Sequence, residues 1–352
     1  MKSLPSISVI IATPDNFQTV RQLVRYLSMQ TIKDQIELVF IAPFKAEMGI
    51  VEPELDGFYG CKTLETGPFK SLNHARVKGI IEAEAPVVVI TEDHCFPAPG
   101  WAEALVEAHK GPWAAVGPVI GLANLHCMKS WANYFVQYAP WMKPTEGGVA
   151  DDIPGHNSSY KKDILMQYGD ELESMMDFEY VLHKDLQKKG FQIYLEAKAE
   201  AYHLFMTLYK PFFLEHFSIG QLLAASRARN FSLLKRLLLL ITAPLLPFLR
   251  TGRIIRQIRK SGWQRQLIPG MLPWLLSGLA VSAAGELMGY AFGRGRSQQR
   301  TIDLDFNRDR FVSVEEKRRI YSEELLDYTN LPVAPTFIDT GRNINSEDSK
   351  GG

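Results

Sequence analysis

Over roughly its first two-thirds, the chain alternates short β-branched runs with stretches of helical periodicity, and no other feature restricts its fold as much. SISVIIA (residues 6–12) and IELVFIA (residues 36–42) are apolar at nearly every position, the pattern of strands buried on both faces. Between them, Val20, Leu23, Val24 and Leu27 recur at helical spacing, which makes a βαβ unit. PVVVIT (residues 86–91) and WAAVGPVI (residues 113–120) repeat the strand signal, with SLNHARVKGIIEAEA and WAEALVEAHK as accompanying helices. The economical fold is α/β, a mostly parallel sheet with helical crossovers. At 352 residues and 46% hydrophobic content, the chain can build that core and still carry an appendage.

Ligands of such sheets gather where strands end at their carboxyl side. One of these ends reads TEDHCFPAPGW, so Glu92, Asp93 and His94 follow the PVVVIT strand directly. Pro97, Pro99 and Gly100 separate the acids from a helix starting near Trp101, too far for them to cap it. Two carboxylates and an imidazole on a short stiff loop suit Mg²⁺ or Mn²⁺, the nitrogen ligand favouring Mn²⁺. Lys+Arg and Asp+Glu both total 39, and a net charge of zero gives no global case for a nucleic-acid partner. The three cysteines are odd in number and widely spaced, which fits a reducing compartment better than a disulfide framework. The short apolar run after Lys2 leads straight into a turn and reads as a first strand, not a signal peptide.

Further segments extend the pattern. SVIIATPDNFQTVRQLVRYLSMQT, NHARVKG, TEDHCFPAPGW, GHNSSYKKDIL and FEYVLHKDLQKKGFQIYLEAKAEAYH occur in that order over residues 6–203. Together they resemble family 2 glycosyltransferases of the GT-A fold, a Rossmann-like architecture. The resemblance implies a nucleotide-sugar donor, UDP-linked first of all, and a divalent cation, Mn²⁺ or Mg²⁺. It implies Thr13, Pro14 and Asp15 at the nucleotide, and His156 and Asn157 at the sugar or diphosphate; Arg76 has the charge to neutralise phosphate or to face water. Glu92 and Asp93 would serve both donor and metal, and His94 and His203 the metal. Glu179 would be the base that deprotonates an acceptor hydroxyl, with Asp177 as runner-up, and the reaction would invert the anomeric carbon. Two departures stand out: FIAPF occupies the place of the family's usual acidic pair after the second strand, and Glu-Asp-His replaces its run of aspartates. Each residue also has an ordinary explanation. TPDN is standard turn and N-cap text, Glu179 fits the solvated face of an amphipathic helix, and His203 fits a satisfied core histidine. Transfer to a polyprenyl phosphate, or a catalytically silent scaffold of the same fold, are the alternatives.

Beyond residue 209 the composition changes. FSLLKRLLLLITAPLLPFL (residues 231–249) and LIPGMLPWLLSGLAVSAAGELMGYAFG (residues 267–293) are the most apolar stretches, and six basic residues lie between Arg250 and Arg265. A bilayer-spanning helix needs about 20 apolar residues. The uncharged part of the first run, Leu237 to Leu249, is shorter and broken by Pro244 and Pro247; the second contains Pro269, Pro273 and Glu286. Basic flanks on both sides of each run oppose a single span under the positive-inside rule. The expectation is in-plane or re-entrant segments on anionic lipids at the cytoplasmic face of the cell membrane, a two-span hairpin being the alternative. The acceptor would then be lipid-linked or a growing glycan. The chain divides into a catalytic region at residues 1–215, a helical membrane-associated region at 216–300, and a polar, partly disordered tail at 301–352. That tail holds a short amphipathic helix in SVEEKRRIYSEELLDY.

Overall fold

Nine strands among the described residues join into one mixed sheet in the computed structural model, which describes residues 4–69, 71–176, 179–228, 231–261, 265–306, 308–322 and 324–326. They are β1 (Ile7–Ala12), β2 (Ile36–Ala42), β3 (Gly60–Glu65), β4 (Val87–Thr91), β5 (Cys95–Pro97), β6 (Trp113–Leu122), β7 (Gly148–Val149), β8 (Ser159–Lys161) and β9 (Gln192–His203). The spatial order is β3–β2–β1–β4–β8–β6–β9–β5, with β7 also on β9. β1 pairs in parallel with both β2 and β4, which is why its apolar run has no polar alternation. Successive residues feed opposite faces. Val9, Ile11, Leu38, Phe40 and Val89 enter one core, while Ile10, Val39, Ile41, Val88 and Ile90 enter the other.

The parallel order breaks at β8, which runs antiparallel to β4 on one side and β6 on the other. Three residues of mixed polarity, SYK, carry no strand periodicity, so this reversal was not visible in the sequence. β9 then returns parallel to β6 and antiparallel to β5, with His203 opposite Cys95. The helix Phe17–Ser28 buries Phe17, Val20, Leu23, Val24 and Leu27, the expected stripe, and Asn16 caps it by accepting the Gln18 N–H at 3.0 Å. The helix Leu72–Glu82 sits close on the sheet because Gly79 has no side chain: a Cβ there would lie 2.6 Å from Ile10.

The apolar C-terminal half folds against the sheet. Two segments, Leu234–Arg259 and Arg265–Phe292, are long and apolar enough to cross a membrane by length and composition. The helix Ile268–Phe292 nevertheless lies along Tyr209–Ala228 at backbone contact distance. A Cβ on Gly285 would be 2.1 Å from the Phe217 carbonyl oxygen, and one on Gly289 2.3 Å from that of Gln221. The helices Ser297–Phe306 and Val314–Ile320 follow, the latter where a short amphipathic helix was expected. Both belong to the folded body. The Thr207 and Leu208 N–H groups donate to the Phe311 carbonyl at 3.0 and 3.1 Å, and Gln22 Nε2 donates to that of Ile320 at 2.7 Å. The final INSEDSKGG, expected to be disordered, lies outside the described residues.

Two buried histidines set a pH limit on this fold. Burial, then the Lys161 charge, lowers His109 from 6.5 to about 3, and burial lowers His216 to about 4. Both are neutral when folded and protonate first in the unfolded chain, so stability is complete above pH 6.5 and declines as pH falls below it toward about 3. Urea unfolding across that interval should show the decline, and His109→Asn should make it shallower. A pH-independent unfolding free energy would contradict the neutral assignment.

Candidate active site

Five separate stretches of chain meet at the carboxyl edge of the parallel strands. Glu92 and Asp93 leave β4 directly. His94 precedes β5, and the β5–β9 pairing sets the last residue of β9, His203, beside it; the Leu204 N–H donates to the His94 carbonyl at 2.9 Å. The GHNSS loop is pinned to the end of β4: the Asn157 N–H donates to the Ile90 carbonyl at 2.7 Å, and Thr91 Oγ1 donates to Asn157 Oδ1 at 2.6 Å. Asn157 also adopts a left-handed backbone, φ 61°, which turns His156 back over the strand end. Arg76 comes from the helix Leu72–Glu82, and Glu179 opens the helix Glu179–Lys188, anchored by buried Leu182 and Leu186.

Glu92 is the hub. Its Oε1 lies 2.9 Å from His156 Nδ1 and 4.0 Å from Arg76; its Oε2 lies 3.3 Å from His94 Nε2 and 3.4 Å from His203 Nε2. Burial alone would push this carboxyl up, yet the charges of the nearby His156 and His94 hold it well below the usual carboxylate range. Burial and the Arg308 charge oppose protonation of His94, but Glu92 and Asp93 raise it to about 9. His203 goes the other way, lowered by burial to about 3, and so offers a neutral imidazole. Glu179 Oε1 is 3.2 Å from Arg76 and 3.9 Å from His156. Asp177 lies outside the described residues.

Glu92, His94 and His203 each present one ligand atom, all within 4.8 Å of one another. Glu92 Oε2 and His94 Nε2 are buried without a hydrogen-bond partner, as expected of atoms that face a cation. Two imidazole nitrogens and one carboxylate fit Mn²⁺ better than Mg²⁺, which favours all-oxygen surroundings. Asp93 also borders the site but makes a different contact. Its Oδ1 is 2.6 Å from His94 Nδ1, so it stands behind the imidazole and fixes the ring's orientation, where the sequence suggested a direct ligand. Asp93→Asn is therefore expected to weaken Mn²⁺ binding by about 10–100-fold and no more. Calorimetric titration of Mn²⁺ into the variant checks this; complete loss of binding would restore Asp93 as a ligand.

The Thr13–Asp15 turn follows β1, whose neighbour at this edge is β4. Thr13 is buried and its N–H donates to the Ile41 carbonyl at 2.9 Å, whereas Asp15 is exposed and its N–H donates to Thr13 Oγ1 at 3.4 Å. Three residues that sequence reasoning did not single out also belong here. Asp305 and Phe306 line, with Arg76, Glu92, Asp93 and His94, a cavity of about 20 Å³. That volume accepts one water or ion and no nucleotide. Arg308 is buried behind them, bonded to Glu215 at 3.1 Å and to Asp305, and its charge reaches Glu92 and His94. FNRDR carries no periodicity or motif that could have pointed to it.

No family model and no curated protein sequence matches the chain. Among solved structures it is similar to the mannosyltransferase PcManGT from Pyrobaculum calidifontis in complex with GDP-Man and Mn²⁺, at 14% identity and TM-score 0.48 over 81% of this chain and 88% of that one. It is also similar to S. aureus TarS, at 15% identity and TM-score 0.42 over 82% of this chain. The chain spans 55% of the length of TarS.

Proposed function

We propose that the chain is an inverting, metal-dependent glycosyltransferase of the GT-A fold that moves a sugar from a nucleotide-sugar to a membrane-proximal acceptor, lipid-linked or glycan, at the cytoplasmic face. The observation that carries this reading is the convergence on one strand edge of Glu92, His94 and His203, with unpaired buried ligand atoms, beside Arg76, His156 and Glu179. A bound Mn²⁺ would supply Lewis-acid stabilisation of the departing diphosphate. Arg76 and His156 add positive charge where that diphosphate leaves. Glu179 takes the proton of the acceptor hydroxyl as its oxygen bonds to the anomeric carbon and the bond to phosphate breaks, and the configuration inverts.

A panel of nucleotide-sugars, UDP-linked donors first and GDP-Man beside them, scored with and without Mn²⁺ for donor hydrolysis and thermal stabilisation, tests the reading. No stabilisation by any nucleotide would favour the silent scaffold. One observation supports a second acceptor class: Arg76 already engages Glu179, an ion pair that must be shared or released before Glu179 accepts a proton. A polyprenyl phosphate acceptor is ionised beforehand and would need no such release.

A further inference from the structure

The segment Leu234–Arg259 turns its largest side chains outward. Leu234, Leu238, Ile241, Leu245, Phe248 and Leu249 are each between 59% and 79% exposed and follow one helical face. Farther along, Arg253, Arg256 and Arg259 are exposed at helical spacing, while Ala243, Pro247, Thr251, Ile254 and Ile258 turn inward. The second apolar segment is arranged the opposite way. Its Met271, Leu275, Leu279 and Tyr290 are buried, its outward positions from Pro273 to Ala291 are small residues apart from Met288, and only Phe292 at its very end, 77% exposed, turns a large apolar side chain fully outward. Glu286, 2% exposed, is ion-paired with Arg250, and the close glycine contacts above tie the same helix to Tyr209–Ala228.

We infer that Leu234–Arg259 docks in the plane of an anionic bilayer surface, apolar half in the acyl boundary and arginines on headgroup phosphates, while Arg265–Phe292 remains a structural helix outside lipid. This rests on the membrane placement proposed above and narrows it to one face. An apolar face this continuous requires cover, and its basic extension selects the cover. A second copy of the chain fits poorly. No Asp or Glu occurs between Leu234 and Arg259, so parallel pairing sets arginine against arginine and antiparallel pairing sets arginine against leucine. Anionic lipid supplies both the apolar layer and the counter-charge.

The test uses the full chain without nucleotide and vesicles of phosphatidylcholine with or without phosphatidylglycerol. The chain should float with the anionic vesicles. Leu238→Glu with Ile241→Glu should abolish flotation. Arg253→Gln, Arg256→Gln and Arg259→Gln together should lower partitioning onto anionic vesicles roughly a hundredfold and leave the weak binding to neutral vesicles unchanged. All five positions are solvent-facing, so the variants should keep the parent melting temperature. With accessible Cys61 and Cys127 replaced, a polarity-sensitive probe on Leu245→Cys should shift on vesicle addition, and one on Ala284→Cys should not. An equal shift at Ala284 would overturn the in-plane assignment, as would failure of the parent chain to bind anionic vesicles. A dimer by light scattering that Leu238→Glu dissolves would make a second copy the occupant. Vesicle binding by a chain that transfers no sugar from any donor would leave this surface standing and remove the transferase reading alone.

Discussion

Glu179→Gln should bind nucleotide as the parent does and transfer sugar to a hydroxyl acceptor about two to four orders of magnitude more slowly. The amide keeps the size of the carboxylate and its acceptor oxygen toward Arg76, so the loop and helix around it are held as before. Packing there is tight, since a Cβ on Gly155 would meet Glu179 Oε2 at 2.7 Å, and a near-isosteric change respects that contact. Only basicity is removed. Single-turnover transfer and nucleotide affinity, measured in the same variant, separate the possibilities. A neutral result would make Glu179 an incidental acid and direct attention to Asp177 or to a pre-ionised phosphate acceptor. A parallel loss of affinity would make it part of the donor site.

Glu92→Gln is expected to be the most damaging single change at the site. The carboxylate is 9% exposed and neutralises His156, His94 and the nearby Arg76, so an amide leaves buried positive charge uncompensated, at a cost of about 3–5 kcal/mol of stability. Mn²⁺-dependent thermal stabilisation should vanish with it. His203→Ala provides the milder companion: it removes one ligand without stranding a charge, and should lose the Mn²⁺ effect while keeping most of the metal-free stability. Undiminished Mn²⁺ stabilisation in both variants would falsify the metal site.

Much of this architecture was legible locally. β1, β2, β4 and β6 appear where continuous β-branched runs stand, because burial on both faces leaves no polar alternation. The helix over Val20, Leu23, Val24 and Leu27 declared itself by period. The antiparallel β8 did not, since three residues cannot display a period. At the site, Glu92 and His94 were marked by their place at a strand end, and Arg76, His156, Glu179 and His203 only by an ordered resemblance. The contact of Asp93 with the His94 ring was not legible, because sequence order does not say which way a side chain turns: its Oδ1 meets His94 Nδ1.

The sequence by itself determined the strand and helix periods, the strand end that carries the acids, and the presence of two apolar C-terminal segments. Tertiary structure decided what those segments do. Close in mean hydropathy, one turns leucines outward and the other turns glycines toward a neighbouring helix, a difference set by packing partners and not by composition. It likewise brought Asp305, Phe306 and Arg308 over the site from the far end of the chain, and His203 to His94 through the β5–β9 ladder. Periodicity is a local property that each segment carries alone, whereas a site requires contacts between residues distant in the chain, and these exist only once the sheet has fixed its order and register.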